Sequence, residues 1–313
     1  MKTMNEIRAV TDTRDYDREF WNAMRFKPNS EIALRDAVES TTGAFFAPSS
    51  SDADIRKAIA AESVIRANAT QLKKYDGGSV IWAADSNDYA EFVPAGAPIP
   101  GFDAEDDFTK FRIEAHKVAG LIKLSEEFAL DADFDLIGYI TRRMGRSFAR
   151  AEDRAFVNGS GTNEPHGLLH DTEGAETGVT TAELTCDDIV ELFFSVEPEY
   201  RKNAVWLMND RTALAIRRLK DLTGNYIWNG STDTIFGKPV RICNEMPDIG
   251  AGAKPVLFGD LSYYWIVDRA PVSLKALKER FALENKVGYL GFELLDGRLV
   301  HRDAVKCLAV GSE

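Results

Sequence analysis

The sequence predicts an α+β fold, and separate helix-like and strand-like segments carry this prediction. Apolar residues recur at gaps of 3, 4, 4, 3 and 4 in one long segment: Ile137, Ile140, Met144, Phe148, Ala151 and Ala155. This spacing lines one face of an α-helix, which we expect to be buried. Residues 79–83 and 203–209 instead form short apolar runs of the kind found in strands. A chain of 313 residues with 44% hydrophobic residues can bury a sizeable core of both element types.

The long helix is predicted from about Asp133 to Asn158. Asp131 and Asp133 occupy the positions of an N-cap and a first-turn acid, and Gly159 reads as a C-terminal stop. Polar residues between the apolar positions make the opposite face mostly cationic: Arg142, Arg143, Arg146, Arg150 and Arg154, with Glu152 and Asp153. Two interpretations of this face stay open, a solvated surface or a contact with an acidic neighbouring subunit.

The segment before this helix contains helices, strands and one long link. Ser51 or Asp52 can cap a helix over residues 53–68. Residues 79–83 and 108–124 read as strands. The link between them is rich in Pro, Gly, Asp and Ala, and a link of this length is either a functional loop or a disordered surface loop.

After the long helix, capping signals and apolar runs alternate. Thr185 begins a helix with acidic residues in its first turn, and Asp210 caps another, whose predicted core side is Leu214, Ile216 and Leu219. Further strand-like runs cover residues 235–242, 255–260, 264–268, 272–275, 291–300 and 304–310. Asp296-Gly297 is a hairpin-turn signal within the penultimate run.

Composition excludes several classes of protein. A net charge of −12 argues against binding nucleic acid by phosphate neutralisation, which needs a basic patch. No apolar run approaches the roughly 18 residues of a membrane span, so we expect no membrane association. The first residues lack a signal-peptide core, which predicts a cytoplasmic protein. Three widely spaced cysteines predict no disulfide framework.

No catalytic, metal or cofactor site is recognisable in the sequence. His166 and His170 are four residues apart, but Pro165 and Gly167 prevent the helix that would align them as a metal pair. The segment around Ser160 does not meet the G-x-S-x-G pattern of a nucleophile. A soluble hydrolase with an unrecognised site stays open as an alternative.

The long helix and the loop after it resemble a known family. Residues 151–162, followed by Glu164-Pro-His-Gly-Leu-Leu169, are similar to the spine helix and following loop of tailed-phage major capsid proteins of the Hong Kong 97 (HK97-like) fold. Trp206-Leu-Met-Asn-Asp-Arg-Thr212 and Phe258-Gly-Asp-Leu-Ser262 resemble the axial domain of the same family, in the same order. The resemblance covers roughly residues 40–310.

The resemblance implies an α+β, HK97-like capsid fold with four parts. These are an N-terminal arm (1–45), the first part of a peripheral domain (46–184), an axial domain (185–270) and peripheral return strands (271–313). The peripheral part would contain an extended E-loop hairpin (about 78–118) and the spine helix (about 133–158). Many relatives carry a longer helical scaffolding segment at the N-terminus, so either this segment was removed or a separate protein scaffolds assembly.

The implied function is structural, not enzymatic. A major capsid protein of this kind self-assembles as pentamers and hexamers into an icosahedral shell around double-stranded DNA, without sequence-specific binding, cofactor or membrane. Its partners would be itself, a scaffolding protein and a portal, and the virion capsid would be assembled in the cytoplasm of a bacterial host. The alternatives are an encapsulin-like compartment subunit that encloses protein cargo and, more remotely, the enzyme.

The resemblance also implies candidate contact residues. In the E-loop these are Trp82, Tyr89 and Phe92, and on the spine helix they are Arg142, Arg146 and Arg150. Some relatives join subunits by an isopeptide bond between an E-loop lysine and a peripheral-domain asparagine, promoted by a buried glutamate. The corresponding candidates in this chain are Lys110, Asn285 and Glu293.

Overall fold

The structure contains both helices and sheets, as predicted for an α+β protein. The computed structural model describes residues 4–28, 30, 34, 44–75, 78–84, 92–94, 108–131, 133–220, 224–226, 228 and 233–311. The helices are α1 (Met4–Thr11), α2 (Arg14–Met24), α3 (Ser49–Glu62), α4 (Val64–Asn68), α5 (Glu126–Leu130), α6 (Leu136–Asn158), α7 (Cys186–Ser195) and α8 (Asp210–Arg218). The strands are β1 (Phe45–Phe46), β2 (Thr70–Lys73), β3 (Val80–Ala84), β4 (Phe108–Arg112), β5 (His116–Ser125), β6 (Glu176–Thr181), β7 (Val205–Met208), β8 (Thr234–Ile235), β9 (Lys238–Ile242), β10 (Val256–Gly259), β11 (Tyr264–Leu277), β12 (Lys286–Leu299) and β13 (Val305–Val310).

The first sheet is built on the long antiparallel hairpin of β11 and β12. Its strand order is β1-β11-β12-β5, and β2 pairs in parallel with β11. β5 pairs antiparallel with β12 over its whole length, from His116 opposite Leu295 to Ser125 opposite Lys286. Alternate side chains of β5, such as Ile122 and Leu124, are buried, so one face of this sheet covers the core.

Asp296 and Gly297 lie inside β12, so the predicted hairpin turn at this pair is wrong. The glycine serves close packing instead. A Cβ at Gly297 would lie 2.6 Å from the hydroxyl oxygen of Tyr264 and 3.0 Å from the ring of Phe156. The chain actually reverses across residues 278–285, between β11 and β12.

α6 packs across the first sheet and begins slightly later than predicted. Its first residue is Leu136, and its N-cap is Asp135, whose carboxylate accepts a hydrogen bond from the Gly138 N–H at 2.9 Å. Asp131 and Asp133, the residues predicted to cap the helix, lie before it. A cap must accept from the free N–H groups of the first turn, and only Asp135 is in register to do so.

Only the middle of the predicted apolar face of α6 is correct. Ile140, Met144 and Phe148 are buried against the first sheet, whereas Ile137 and Ala151 are exposed. The C-terminal half of the helix instead buries Glu152, Asp153, Phe156 and Val157. The placement of Glu152 and Asp153 on the solvated face is therefore wrong. The buried face rotates because the C-terminal half of the helix packs in a core that also includes the second sheet.

The second sheet has the strand order β6-β13-β10-β7-β9-β8. Every residue of β7 and β10, in its centre, is buried, as predicted for the apolar run at 203–209. α7 and α8 contribute to its core through Ile189, Leu192, Ala213 and Ile216. This sheet is the second layer of the subunit.

The strands of the second sheet come from parts of the chain that the predicted division separates. β6 lies before the predicted boundary at residue 185, and β13 was predicted to return to the sheet of the long helix. The two strands pair in parallel with each other, and β13 also pairs with β10. β13 is apolar on both faces, which suits a strand inside a sheet better than an edge. β11 begins at Tyr264, before the predicted boundary at 270, and belongs to the first sheet.

The caps of the second-layer helices are partly as predicted. Thr185 and Asp188 form a capping box at the start of α7. α8 is capped by Asn209 rather than by Asp210, since the Asn209 side chain accepts from the Thr212 N–H. Leu214, predicted on the core side of α8, is 52% exposed.

The described part of the predicted N-terminal arm is helical and packs on the body. Phe20 and Met24 of α2 are buried, and the Trp21 indole donates a hydrogen bond to the Ser51 hydroxyl at 3.2 Å. The Tyr289 hydroxyl donates to the carbonyl of Met24 at 3.1 Å. α1 and α2 are helical because their apolar side chains have helical spacing, and those of α2 pack in the core.

Two predicted elements are each divided in the structure. The helix expected over residues 53–68 is α3 and α4, with a break at Ser63. The carboxylate of Asp153 accepts hydrogen bonds from the Ser63 hydroxyl at 2.5 Å and from the Val64 N–H at 3.1 Å. These bonds hold the N-terminus of α4 against α6. The strand expected over 108–124 is divided into β4 and β5. Of these two strands, β5 belongs to the first sheet, whereas β4 pairs with β3.

Candidate functional site

The three arginines predicted as subunit contacts are exposed on α6. Arg146 forms an ion pair with Glu62 at 3.3 Å, and Arg142 lies 3.9 Å from Asp135. In both pairs the side chains are about half exposed or more. Exposed pairs of this kind contribute about 0–1 kcal/mol, so a better acidic partner can replace Glu62 or Asp135 at little cost. Arg150 is also exposed.

A groove of about 460 Å³ lies between α6 and β5. Its lining residues are Leu121, Ile122, Lys123, Tyr139, Arg143, Arg146, Ser147 and Arg150. Four of them are cationic and none is acidic, although the chain carries a net charge of −12. Of the predicted contacts, Arg146 and Arg150 line the groove, while Arg142 does not. Sequence reasoning missed Lys123 because it comes from β5, and it missed Arg143 although this residue is part of the arginine run.

The hairpin of β3 and β4 carries the other predicted contacts. Ile81 and Ala83 are buried against the first sheet and anchor the hairpin, whereas Trp82 on the opposite face is 57% exposed. The side chain of Phe92 is fully exposed, at 107% of its reference area. Tyr89 lies outside the described residues. Exposed aromatic side chains are typical of surfaces that become buried in an assembly.

A cluster of buried charges, absent from the sequence prediction, joins the helices to the first sheet. Arg66 of α4 is 1% exposed, and its guanidinium lies 2.6 Å from Glu152 and 3.1 Å from Asp268. Arg56 of α3 lies 2.6 Å from the same Asp268 and 3.2 Å from Asp52. Each guanidinium thus holds two carboxylates, which offsets the cost of removing the charges from water. The cluster fixes the positions of α3 and α4 relative to α6 and β11.

Glu293 of β12 adjoins this cluster and is 1% exposed. Burial, followed by the negative charge of Glu152, raises the pKa of Glu293 well above its ordinary value of 4.5, and the positive charges of Arg66 and Arg56 only partly oppose this shift. Burial therefore favours the protonated, neutral form of Glu293, and the nearby arginines are already matched by Glu152, Asp268 and Asp52.

The structure does not bring together the three residues of the predicted crosslink. Lys110 is exposed on β4, with its ammonium 5.6 Å from the centre of the Trp82 ring. Asn285 is exposed just before β12 and has a left-handed backbone, with φ of 51°. Glu293 lies eight residues further on, which is about 26 Å along an extended strand. The crosslink would join residues of different subunits, so it stays a prediction.

The described residues offer no metal centre and no membrane-spanning helix. The rings of His166 and His170 are 5.1 Å apart, but no group of three or more His, Cys, Asp or Glu side chains in the described ranges could hold a metal ion. Burial and the charge of Arg298 lower the pKa of His166, which favours its neutral form. No helix of the described residues is both long and apolar enough to cross a bilayer.

Comparisons with a family model and with solved structures point to the same family. The model of the phage capsid family matches residues 43–310. The capsid of an empty GTA particle, computed with C5 symmetry, is 25% identical, with 80% of this chain and 90% of that chain covered and a TM-score of 0.61. The capsid of the native GTA particle is 26% identical, with 79% and 90% covered and a TM-score of 0.62. A search of curated protein sequences gives no match.

A structure from Gordonia phage Cozz is 15% identical, covers 80% of this chain and 87% of its own, and has a TM-score of 0.56. At this identity the likeness shows the fold alone. The family match spans both sheets, α6, the groove and the buried charge cluster, so it describes the body of the subunit and not one motif. These similarities favour neither the encapsulin-like compartment nor the enzyme. The chain belongs to the phage capsid family, and it is a structural major capsid protein with the HK97-like fold.

Proposed function

We propose that the protein assembles as pentamers and hexamers into an icosahedral shell that encloses double-stranded DNA. The observation that carries this proposal is the family match over residues 43–310. The similar GTA capsid structures, computed with C5 symmetry, support a fivefold arrangement of copies. Assembly of such a shell requires no catalysed reaction. Its stability comes from apolar surface buried at many symmetric contacts between subunits.

The two sheets suggest a division of labour within the subunit. We assign the first sheet and α6 to the peripheral domain, the second sheet to an axial domain around the capsomer axis, and the β3–β4 hairpin to the base of the E-loop. Exposed apolar side chains around the second sheet support the axial assignment, since unpartnered apolar surface favours contact between copies. They include Phe194, Leu214, Phe236 and Ile242.

The remaining partners follow from the same proposal. A separate scaffolding protein and a portal would act during assembly in the host cytoplasm. The packaged DNA would be held without sequence-specific contacts. The net charge of −12 supports this last point, since it disfavours tight binding of phosphates.

Electron microscopy of the purified protein tests the proposal. We expect closed shells or rings of five and six copies in negative stain, with light scattering far above that of a 34.7 kDa monomer. Nuclease-protected DNA in particles from infected or induced cells would support the genome as content. Co-purified protein cargo without DNA would instead favour a compartment. A monomer that stays monomeric with every candidate scaffold from its own genome would refute the proposal.

A further inference from the structure

We infer that Asp52 and Arg56 of α3 form a clamp that fixes a bend in β11 and thereby determines the curvature, and so the diameter, of the shell. The inference rests on the proposed function, because it concerns how the shape of one subunit sets the size of the assembly. Both side chains act through the backbone of β11, so they are positioning residues.

The pairing of β11 with β12 is irregular in the middle of the long hairpin. Asp268 pairs with Leu295 and Ser273 pairs with Phe292, so five residue steps on β11 lie opposite three on β12. Two register shifts, of the kind that a β-bulge produces, fall between these pairs. The extra residues of a bulge bend the strand and increase its twist. The first sheet is therefore bent at residues 268–273, here called the β11 bulge.

The β11 bulge separates two halves of the first sheet. Before it, β11 pairs with β2, and Ile266 belongs to the core that contains Phe156 of α6. After it, β11 pairs with β1, and Leu274 belongs to the core that contains Met144 of α6. The strand thus changes both its outer neighbour and its core at the bulge. A change of bend there would turn one half of the sheet relative to the other.

Asp52 and Arg56, four residues apart on α3, bind the backbone of the β11 bulge. The Asp52 carboxylate accepts a hydrogen bond from the Val272 N–H at 2.9 Å. Arg56 donates to the Ala270 carbonyl at 2.9 Å, and its guanidinium lies 2.6 Å from the Asp268 carboxylate. Both clamp residues are 8% exposed, and they are 3.2 Å from each other. Because a bulge leaves backbone groups that the ladder cannot pair, these contacts stabilise one particular bend.

A small change of bend would move the end of the hairpin by several ångströms. β11 continues from Val272 to Leu277, about 20 Å of extended strand, so a rotation of about 10° moves its end by roughly 3 Å. Exposed apolar side chains lie at this end, Leu283 in the turn and Phe128 on the adjoining α5, and such side chains favour contacts between copies. A shift at these contacts changes the angle between neighbouring subunits, which sets the diameter at which a shell closes.

A conservative substitution tests whether the clamp determines the diameter. Arg56→Lys keeps the positive charge but lacks the planar fork that binds a carboxylate and a carbonyl together. We expect the share of shells outside the main wild-type diameter class to rise at least about tenfold in electron micrographs. The matched control is Arg66→Lys, the same change at a buried arginine whose guanidinium, among the described residues, binds side chains such as Glu152 and Asp268. The control should keep the wild-type diameter.

Hydrogen exchange of the unassembled chain tests the clamp apart from assembly. Asp52→Ala removes the acceptor of the Val272 N–H, and Arg56→Lys removes a partner that holds this acceptor in place. We expect the Val272 N–H to exchange at least about tenfold faster in both variants than in the wild type, and at the wild-type rate in Arg66→Lys. Urea unfolding of each variant gives its loss of global stability, so exchange through global unfolding can be subtracted.

The outcomes separate this inference from the proposed function. Altered diameters for Arg56→Lys and Asp52→Ala, with the wild-type diameter for Arg66→Lys, support the clamp. The wild-type diameter in all three variants, or the same change in all three, refutes it while the shell function stands. A wild-type chain that forms no shell refutes the proposed function, and an unchanged exchange rate of the Val272 N–H in both clamp variants refutes the clamp by itself.

Discussion

Arg66 holds the buried charges of the subunit together. Its guanidinium contacts Glu152 on α6 and Asp268 on β11, and its side chain is 1% exposed. A buried ion is stable only when its partners replace the lost water, and removal of one partner leaves an uncompensated charge. Burial raises the pKa of the neighbouring Glu293, which favours its protonated form and so disfavours a further negative charge beside Arg66.

Two isosteric substitutions should therefore differ sharply in stability. Glu152→Gln removes a charge that Arg66 needs, and we expect it to lower the free energy of unfolding by roughly 3 kcal/mol. Glu293→Gln replaces one neutral group by another, and we expect a change of less than about 1 kcal/mol. Urea unfolding of the unassembled chain measures both. Equal losses in the two variants would mean that Glu293 is ionised and that the charge balance described above is wrong.

The raised pKa of Glu293 also predicts how stability depends on pH. Above the ordinary value of 4.5 the unfolded chain loses the Glu293 proton while the folded chain keeps it. Its contribution to stability is complete below 4.5 and is lost as pH rises through the raised pKa, by up to about 1.4 kcal/mol per pH unit.

Urea unfolding from about pH 5 to about pH 8 should show this decline, and Glu293→Gln should make it shallower. Asp153 and Asp296, whose pKa values burial also raises, contribute a decline of the same sign that the variant retains. A variant slope identical to that of the wild type would contradict the assignment.

The C-terminal end and the central buried residues of α6 can be predicted from the sequence, whereas its N-cap and the buried face of its C-terminal half cannot. Its C-terminal residue, Asn158, follows from the glycine after it, and Ile140, Met144 and Phe148 follow from helical spacing. The N-cap does not, because three aspartates, at 131, 133 and 135, compete within five residues. Only the backbone geometry selects Asp135.

The cap assignment predicts an asymmetric effect of two alanine substitutions. Asp135→Ala removes the acceptor for the Gly138 N–H and should cost about 0.5–2 kcal/mol of stability. Asp133→Ala lies outside the helix and should cost less than about 0.5 kcal/mol. Chemical unfolding of the two variants side by side gives the comparison. A larger loss at Asp133 would move the start of the helix back toward the sequence prediction.

The order of the strands in the second sheet does not follow their order in the chain. Strand runs were recognised individually, but β6 and β13 meet in one parallel pair, in which Glu176 lies opposite Lys306, 130 positions later in the chain. Such pairing depends on contacts between distant segments of the chain, and no local sequence signal specifies it.

In the assembled shell we expect subunits that are not covalently joined, because Glu293 is 1% exposed within its own subunit and so cannot contact a lysine or asparagine of a neighbour. Mature particles should give a single band near 34.7 kDa on a denaturing gel. Lys110→Arg and Asn285→Asp should leave the band pattern and the particle yield unchanged. A ladder of multimers that disappears in the Asn285→Asp variant would show that the isopeptide bond forms despite the geometry.

The sequence by itself determined the features that depend on neighbours in the chain. The span of α6, the Thr185 cap with its acidic first turn, the buried strand β7 and the run of arginines can all be recognised within a few turns of chain. The capsid resemblance rests on such local runs in their order.

Tertiary structure alone decided which charged residues are core and which are surface. Glu152 and Arg146 are both charged residues between the apolar positions of α6, so the sequence placed both on its polar face. Only Glu152 contacts a buried guanidinium, that of Arg66, which lies 86 positions earlier in the chain. Lys123 joins Arg143 in one groove only because β5 packs beneath α6. Burial of a charge depends on partners supplied by distant segments, so its environment is set when the layers pack and not when the helix forms.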